Sequence, residues 1–174
     1  MQNLRLEFSI FMEGVDFVDI GPALSNPQYT AVTAKSIAKD FPLLKVSLID
    51  LEPAVDYFYS DKISQSVRDE LASCQIVRGD GLKTVELVLE PKKAAFVRAA
   101  NSIDVYASRE DAKKFLESFF RWKVPVILFF NRAILYKKEN GASWRLIGKL
   151  SERGFHHNTQ SLARKNAHAY QLFQ

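Results

Sequence analysis

The chain has 174 residues and a net charge of +4, with 47% apolar, 25% charged and 12% aromatic residues. That balance describes a globular core-forming chain and excludes a disordered one, which would be poor in aromatic and β-branched residues. Its lone cysteine, Cys74, excludes an intrachain disulfide and a multi-cysteine zinc site.

The elements are read in chain order. Leu4, Leu6, Phe8 and Ile10 alternate with polar residues, which predicts a strand over 4–12. Gly14, Gly21, Pro22, Asn26 and Pro27 read as a loop. Ala34, Ile37, Ala38 and Phe41 have helical spacing, stopped by Pro42. Strands are predicted over 44–50 and over the Tyr/Phe-rich stretch 55–59. A helix over 62–73 is capped by Ser60 or Asp61, with Ile63, Val67, Leu71 and Cys74 as its apolar stripe. Gly79 to Gly81 is a turn, 84–89 a strand, Phe96-Val97 part of another, and Ile103, Val105 and Ala107 alternate as a further strand. The best helix is 109–122, capped by Ser108 with Asp111 in the place of a capping-box acid. Val124–Phe130 is a continuous apolar strand, and Ile134–Tyr136 pairs with Trp144–Ile147 around the Asn140-Gly141 turn. A last helix runs from about Thr159 to Tyr170. Strands mix with helices without strict alternation. The expected fold is one α+β domain over 1–174, its sheet mixed or largely antiparallel and packed by two or three helices.

The charge is uneven. Residues 1–70 carry six Lys/Arg and eleven Asp/Glu, whereas 71–174 carry eighteen and nine. Residues 121–174 hold ten basic and two acidic residues. This asymmetry points to an acidic partner, a protein face or a nucleic acid, on the basic side. Arg121, Lys123, Arg132, Trp144 and Arg145 are the candidate partner-binding residues, because Arg and aromatic side chains dominate interface energetics.

Chemistry is harder to find. His156 and His157 are adjacent and point apart, and His168 has no acidic neighbour at a ligand spacing, so no metal site is expected. No cofactor is expected either, since no phosphate-binding Gly-x-x-x-x-Gly-Lys loop or Gly-x-Ser-x-Gly elbow occurs. Cys74 on its apolar stripe reads as a small buried hydrophobe. The enzymatic alternative is a metal-dependent nuclease in which Asp80 and Glu90 hold a divalent ion, Asp50 and Glu52 supply more carboxylate, and Lys92 stabilises developing charge. The remaining alternative is a nucleic-acid-binding protein, with Trp122, Tyr136 or Trp144 stacking on bases among the C-terminal cations.

One pattern resembles a known family. Asp56–Ile63 leads into an amphipathic helix, then come Cys74–Val77 and Val85–Leu89, followed by Ala95–Val105. Val126–Asn131 and Leu146–Glu152 look like closing strands and a second Ser-initiated helix. Together these resemble the immunity proteins of bacterial polymorphic toxin systems. The resemblance implies a small cytoplasmic protein, with no catalytic residues, that binds and blocks one cognate toxin domain. The apolar runs are too short to span a membrane, and one free cysteine suits a reducing cytoplasm.

Overall fold

The computed structural model describes residues 9–39, 41–85, 91–100, 102–130 and 133–149, with the backbone alone at 104, 105, 148 and 149. Its strands are β1 (Val15–Ile20), β2 (Leu43–Asp50), β3 (Gln75–Arg78), β4 (Ala94–Arg98), β5 (Val126–Phe129), β6 (Ala133–Lys137) and β7 (Arg145–Lys149). Between them lie α1 (Pro27–Ala38), α2 (Glu52–Tyr59), α3 (Gln65–Asp69), α4 (Gly81–Thr84), α5 (Ile103–Tyr106) and α6 (Arg109–Ser118). They form a single α+β domain around a seven-stranded mixed sheet of order β3-β2-β1-β4-β5-β6-β7. Of the two arrangements expected, mixed or largely antiparallel, the mixed one holds, and the error is in the balance: most of the ladders are parallel. β3/β2, β2/β1, β1/β4 and β4/β5 pair parallel, and only the β5/β6 and β6/β7 ladders are antiparallel.

Three misread segments explain that error. Gly14 and Gly21 are not loop interior but the two ends of β1, and both have positive φ, which glycine adopts without penalty. Residues 52–59 are helix rather than strand: Pro53 sits in the first turn, and Val55 and Phe58, three apart, are the buried pair. This removes the strand that the family resemblance placed before Ser60. Residues 103–106 form a short helix, not a strand. The first predicted strand also changes: residues 9–12 are helical, and 1–8 lie outside the described residues. The 62–73 helix shrinks to α3, with Ser64 rather than Ser60 or Asp61 at its N-cap. Thr84 ends α4 instead of opening a strand.

Other expectations hold. Strand β2 and the apolar β5 lie where the sequence puts them. Ser108 caps α6: its Oγ accepts the Asp111 N–H at 3.1 Å and donates to Asp111 Oδ2 at 2.7 Å. Asn140 adopts φ 51° in the turn between β6 and β7.

Helices cover both faces. Phe17, Phe96, Ile127 and Phe129 pack with Phe11, Phe41 and Ile37 of α1 on one side. Val18, Val97, Val126 and Leu128, their neighbours in sequence, pack with Phe115, Phe119 and Trp122 on the other. A strand covered on both sides needs apolar residues without alternation, which β4 and β5 supply. Among the described residues no helix is long and apolar enough to cross a membrane.

Candidate functional site at the carboxyl edge of the sheet

The strand order reverses direction next to β1. From β1 the chain steps outward to β2 and β3, then returns to the other side of β1 for β4 and β5. The loops leaving β1 and β4 therefore run to opposite faces. The crevice they leave, at the carboxyl ends of the parallel strands, is where ligands bind in sheets of this kind.

The loop after β1 is tightly held. The Gly21 N–H donates to Ile49 O at 2.8 Å, and the Asn26 N–H donates to Ala23 O at 2.6 Å. The Leu24 N–H donates to Asp50 Oδ2 at 2.8 Å, and the Thr30 hydroxyl donates to Pro22 O at 2.7 Å. A Cβ on Gly21 would lie 2.8 Å from the Ser102 Cβ, so glycine here lets the β1 and β4 loops meet.

Carboxylates gather at this edge. Asp50 closes β2 with 8% of its surface exposed; besides Leu24, its Oδ1 accepts the Leu51 N–H at 2.9 Å. Two more residues on, Glu52 accepts from Arg78 Nη1 at 3.1 Å, and the same nitrogen lies 2.8 Å from Asp56. Asp80, after β3, caps α4 by accepting the Leu82 N–H at 2.9 Å. Asp19, the penultimate residue of β1, is fully buried and grips Arg98 Nη1 with both oxygens, at 2.9 and 3.2 Å. Burial pushes the Asp19 carboxyl above its usual range, the Arg98 charge opposes that shift, and nearby Asp50 adds to it. Arg98 also donates to the Tyr29 hydroxyl at 3.4 Å, which ties β4 to the first turn of α1. Five carboxylates thus stand beside two arginines.

The residues singled out from the sequence lie elsewhere. Arg121, Lys123 and Arg145 are exposed at the opposite, amino edge of the parallel strands, while Arg132 lies outside the described residues. Trp144 is half-buried, its indole N–H donating to Leu116 O at 2.8 Å, and it packs on Phe119. Trp122 and Tyr136 are buried, so neither offers a face to a base. Lys137 is also buried, its ammonium donating to the carbonyls of Trp122, Val124 and Lys138 at 2.7, 2.9 and 3.1 Å. The nuclease trio is not assembled. Asp80 follows β3 at the carboxyl edge, whereas Lys92 precedes β4 at the amino edge, a strand length or about 15 Å away. Glu90, His156, His157, His168 and the 159–170 helix lie outside the described residues. Among the described residues no cluster of three His, Cys, Asp or Glu could hold a metal ion. Cys74 is half-buried, and burial pushes its thiol up; it lines a cleft of about 410 Å³ with Phe58, Tyr59 and Arg68, outside β3. Sequence reasoning missed Asp50 and Gly21 as a pair, although an apolar run ending in Gly-Pro and a strand ending in Asp were both visible.

No protein-family model and no curated protein matches the chain. Two solved structures are similar in part: one described as a pericyclic reaction enzyme, at 15% identity, and one as LepI in complex with SAM, at 16%. Each likeness has a TM-score of 0.43 and covers 75% of this chain but 29% of the other. The chain spans less than a third of the length of those structures.

Proposed function

We propose that the carboxyl edge binds a nucleoside-bearing small molecule that carries positive charge and no pyrophosphate. The carrying observation is Asp50, a nearly buried carboxylate at the end of β2, beside the crevice where the strand order reverses. A carboxylate in that place accepts hydrogen bonds from ribose hydroxyls. Asp50 spends one acceptor direction of each oxygen on Leu24 and Leu51. A carboxylate has about four, so capacity for a diol remains. The exposed Leu51 beside it offers an apolar surface for a base.

The β1 loop argues against a dinucleotide. A pyrophosphate needs several free backbone N–H groups at a glycine-rich turn. Here Gly21, Leu24 and Asn26 have already placed theirs, and Pro22 has none. The carboxylates of the edge further oppose phosphate and suit a cation. An adenosyl sulfonium such as S-adenosylmethionine meets all of these requirements.

A thermal-shift series tests the reading. S-adenosylmethionine, adenosine, NAD and ATP are each added at 1 mM, and a ligand that binds only the native state raises Tm. The first two are expected to raise it and the phosphorylated pair to leave it unchanged; stabilisation by NAD or ATP alone refutes the proposal. The toxin-neutralising role implied by the family resemblance remains a separate proposal. It would use the amino edge, where Arg121, Lys123 and Arg145 stand.

A further inference from the structure

The second surface is the opposite edge of the same sheet. Lys45 lies near the start of β2, Lys92 and Lys93 precede β4, Lys123 precedes β5, Lys138 follows β6 and Arg145 opens β7. They come from both halves of the sequence, and the register brings their strand ends to one edge of the sheet, Lys45 toward the Val126 face and Arg145 toward the Tyr136 face. Lys45 pairs with Asp16, Asp16 with Ala95, Ala95 with Val126, Val126 with Lys137, and Tyr136 with Arg145. The Asn140 N–H donates to Lys123 O at 3.1 Å, which holds the β6–β7 turn beside Lys123. Six strands at about 4.8 Å spacing spread these cations along an edge about 24 Å long. Among the described residues Glu13, Asp16 and Glu139 are the acids along it, and Asp16 is engaged with the Lys92 N–H at 3.3 Å.

We infer that this row seats the phosphate backbone of a nucleic acid, with no reading of bases. Its length corresponds to the axial rise of about seven base steps, at roughly 3.4 Å each, so only the phosphates facing the edge would meet it. Its chemistry separates a nucleic acid from an acidic protein. Protein interface cores are depleted in Lys and enriched in exposed aromatic anchors. This row is five Lys to one Arg, and its nearby aromatics, Trp122 and Tyr136, are buried. The Arg145 guanidinium itself lies 5.3 Å from the Tyr136 ring centroid, which fixes its position at the end of the row. Lysine point charges with no stacking platform suit phosphates and not bases.

The test uses the full chain and two labelled probes, a 20-nucleotide single-stranded RNA and a 20-base-pair DNA, followed by fluorescence anisotropy from 50 to 200 mM salt. Wild type is expected to bind at 50 mM and to lose at least tenfold in affinity by 200 mM. Lys92→Glu/Lys93→Glu and Lys123→Glu/Lys138→Glu, each checked for a wild-type thermal melt, should each weaken binding at least tenfold. Each should also lower the salt slope by about one for every phosphate that is no longer neutralised. Lys83→Glu, in α4 at the carboxyl edge, should bind as wild type. Absence of wild-type binding at 50 mM, or equal binding by the double variants, overturns the inference. Competition by polyglutamate as strong as by unlabelled RNA also overturns it and assigns the row to an acidic protein. Because the nucleoside site lies at the other edge, these affinities should be the same with and without 1 mM S-adenosylmethionine, whether or not that site exists.

Discussion

Asp50 and Leu24 are linked across two strand ends: the carboxylate that closes β2 accepts the Leu24 N–H from the loop after β1, at 2.8 Å, in a buried setting. One residue thus holds the β1 loop at the carboxyl edge of the sheet. Asp50→Ala leaves that buried N–H without its acceptor and is expected to cost about 1–3 kcal/mol of stability. Asp50→Asn keeps a carbonyl acceptor for Leu24 and should cost less than half as much. Urea unfolding of the three proteins at pH 7 checks the order.

The Asp19–Arg98 pair makes a sharper prediction. Arg98→Met leaves a buried carboxylate without its cation, and is expected to cost about 3–5 kcal/mol. Asp19→Leu/Arg98→Met removes both charges and should recover most of that loss. The sign with pH follows from Asp19, whose carboxyl is already raised by burial. A group raised on folding favours the native state in acid, and that contribution is lost as pH rises through its native pKa. Removing Arg98 takes away the attraction that held the value down, so it climbs further. The stability deficit of Arg98→Met should therefore grow once pH passes the native wild-type value of Asp19, which lies above the usual carboxylate range. A deficit that shrinks as pH rises would contradict the assignment.

Lys137 acts as a clamp between the segment before β5 and the turn after β6. Its ammonium joins three carbonyls from 122, 124 and 138, and burial holds its pKa below the usual lysine range. Lys137→Met keeps the apolar stem and loses all three bonds. A loss of about 2–4 kcal/mol is expected, measured by thermal unfolding. Lys138→Met, one residue on and exposed, should stay within about 0.5 kcal/mol of wild type.

Gly81 tests the closeness of the carboxyl-edge loops. Its φ is unexceptional, but an added Cβ would run into the Ile20 Cγ2 of β1. Gly81→Ala should therefore destabilise by about 1–3 kcal/mol through overpacking. Ile20→Ala/Gly81→Ala should be less destabilised than the sum of the two single variants, which a double-mutant cycle measures.

What the sequence revealed depended on where packing and pattern agreed. The capping pair Ser108 and Asp111, the apolar β5 and the Asn140-Gly141 turn are local features, and each was readable. Strand β1 was not. Its Asp16 and Asp19 interrupt an apolar run for reasons visible only in three dimensions, one accepting the Lys92 N–H and the other pairing with Arg98 seventy-nine residues away. Segment 52–59 failed because β-favouring Tyr, Phe and Val outweighed the i, i+3 spacing of Val55 and Phe58. With β1 unread and α2 taken for a strand, the alternation that marks a parallel sheet was hidden. The crevice was hidden with it, because Asp50 and Gly21 become a site only once their strands are neighbours. The basic C-terminal stretch was visible as composition, but its continuation through Lys45, Lys92 and Lys93 follows from register alone.

The central claim is that Asp50 holds the ribose of a cationic nucleoside. Isothermal titration calorimetry of S-adenosylmethionine into wild type and Asp50→Asn, with NAD as comparison, addresses it most directly. Saturable binding to wild type at one site per chain, at least tenfold weaker binding to Asp50→Asn, and no heat from NAD are expected. Equal affinity for wild type and Asp50→Asn, or saturable binding of NAD with none of S-adenosylmethionine, would contradict it.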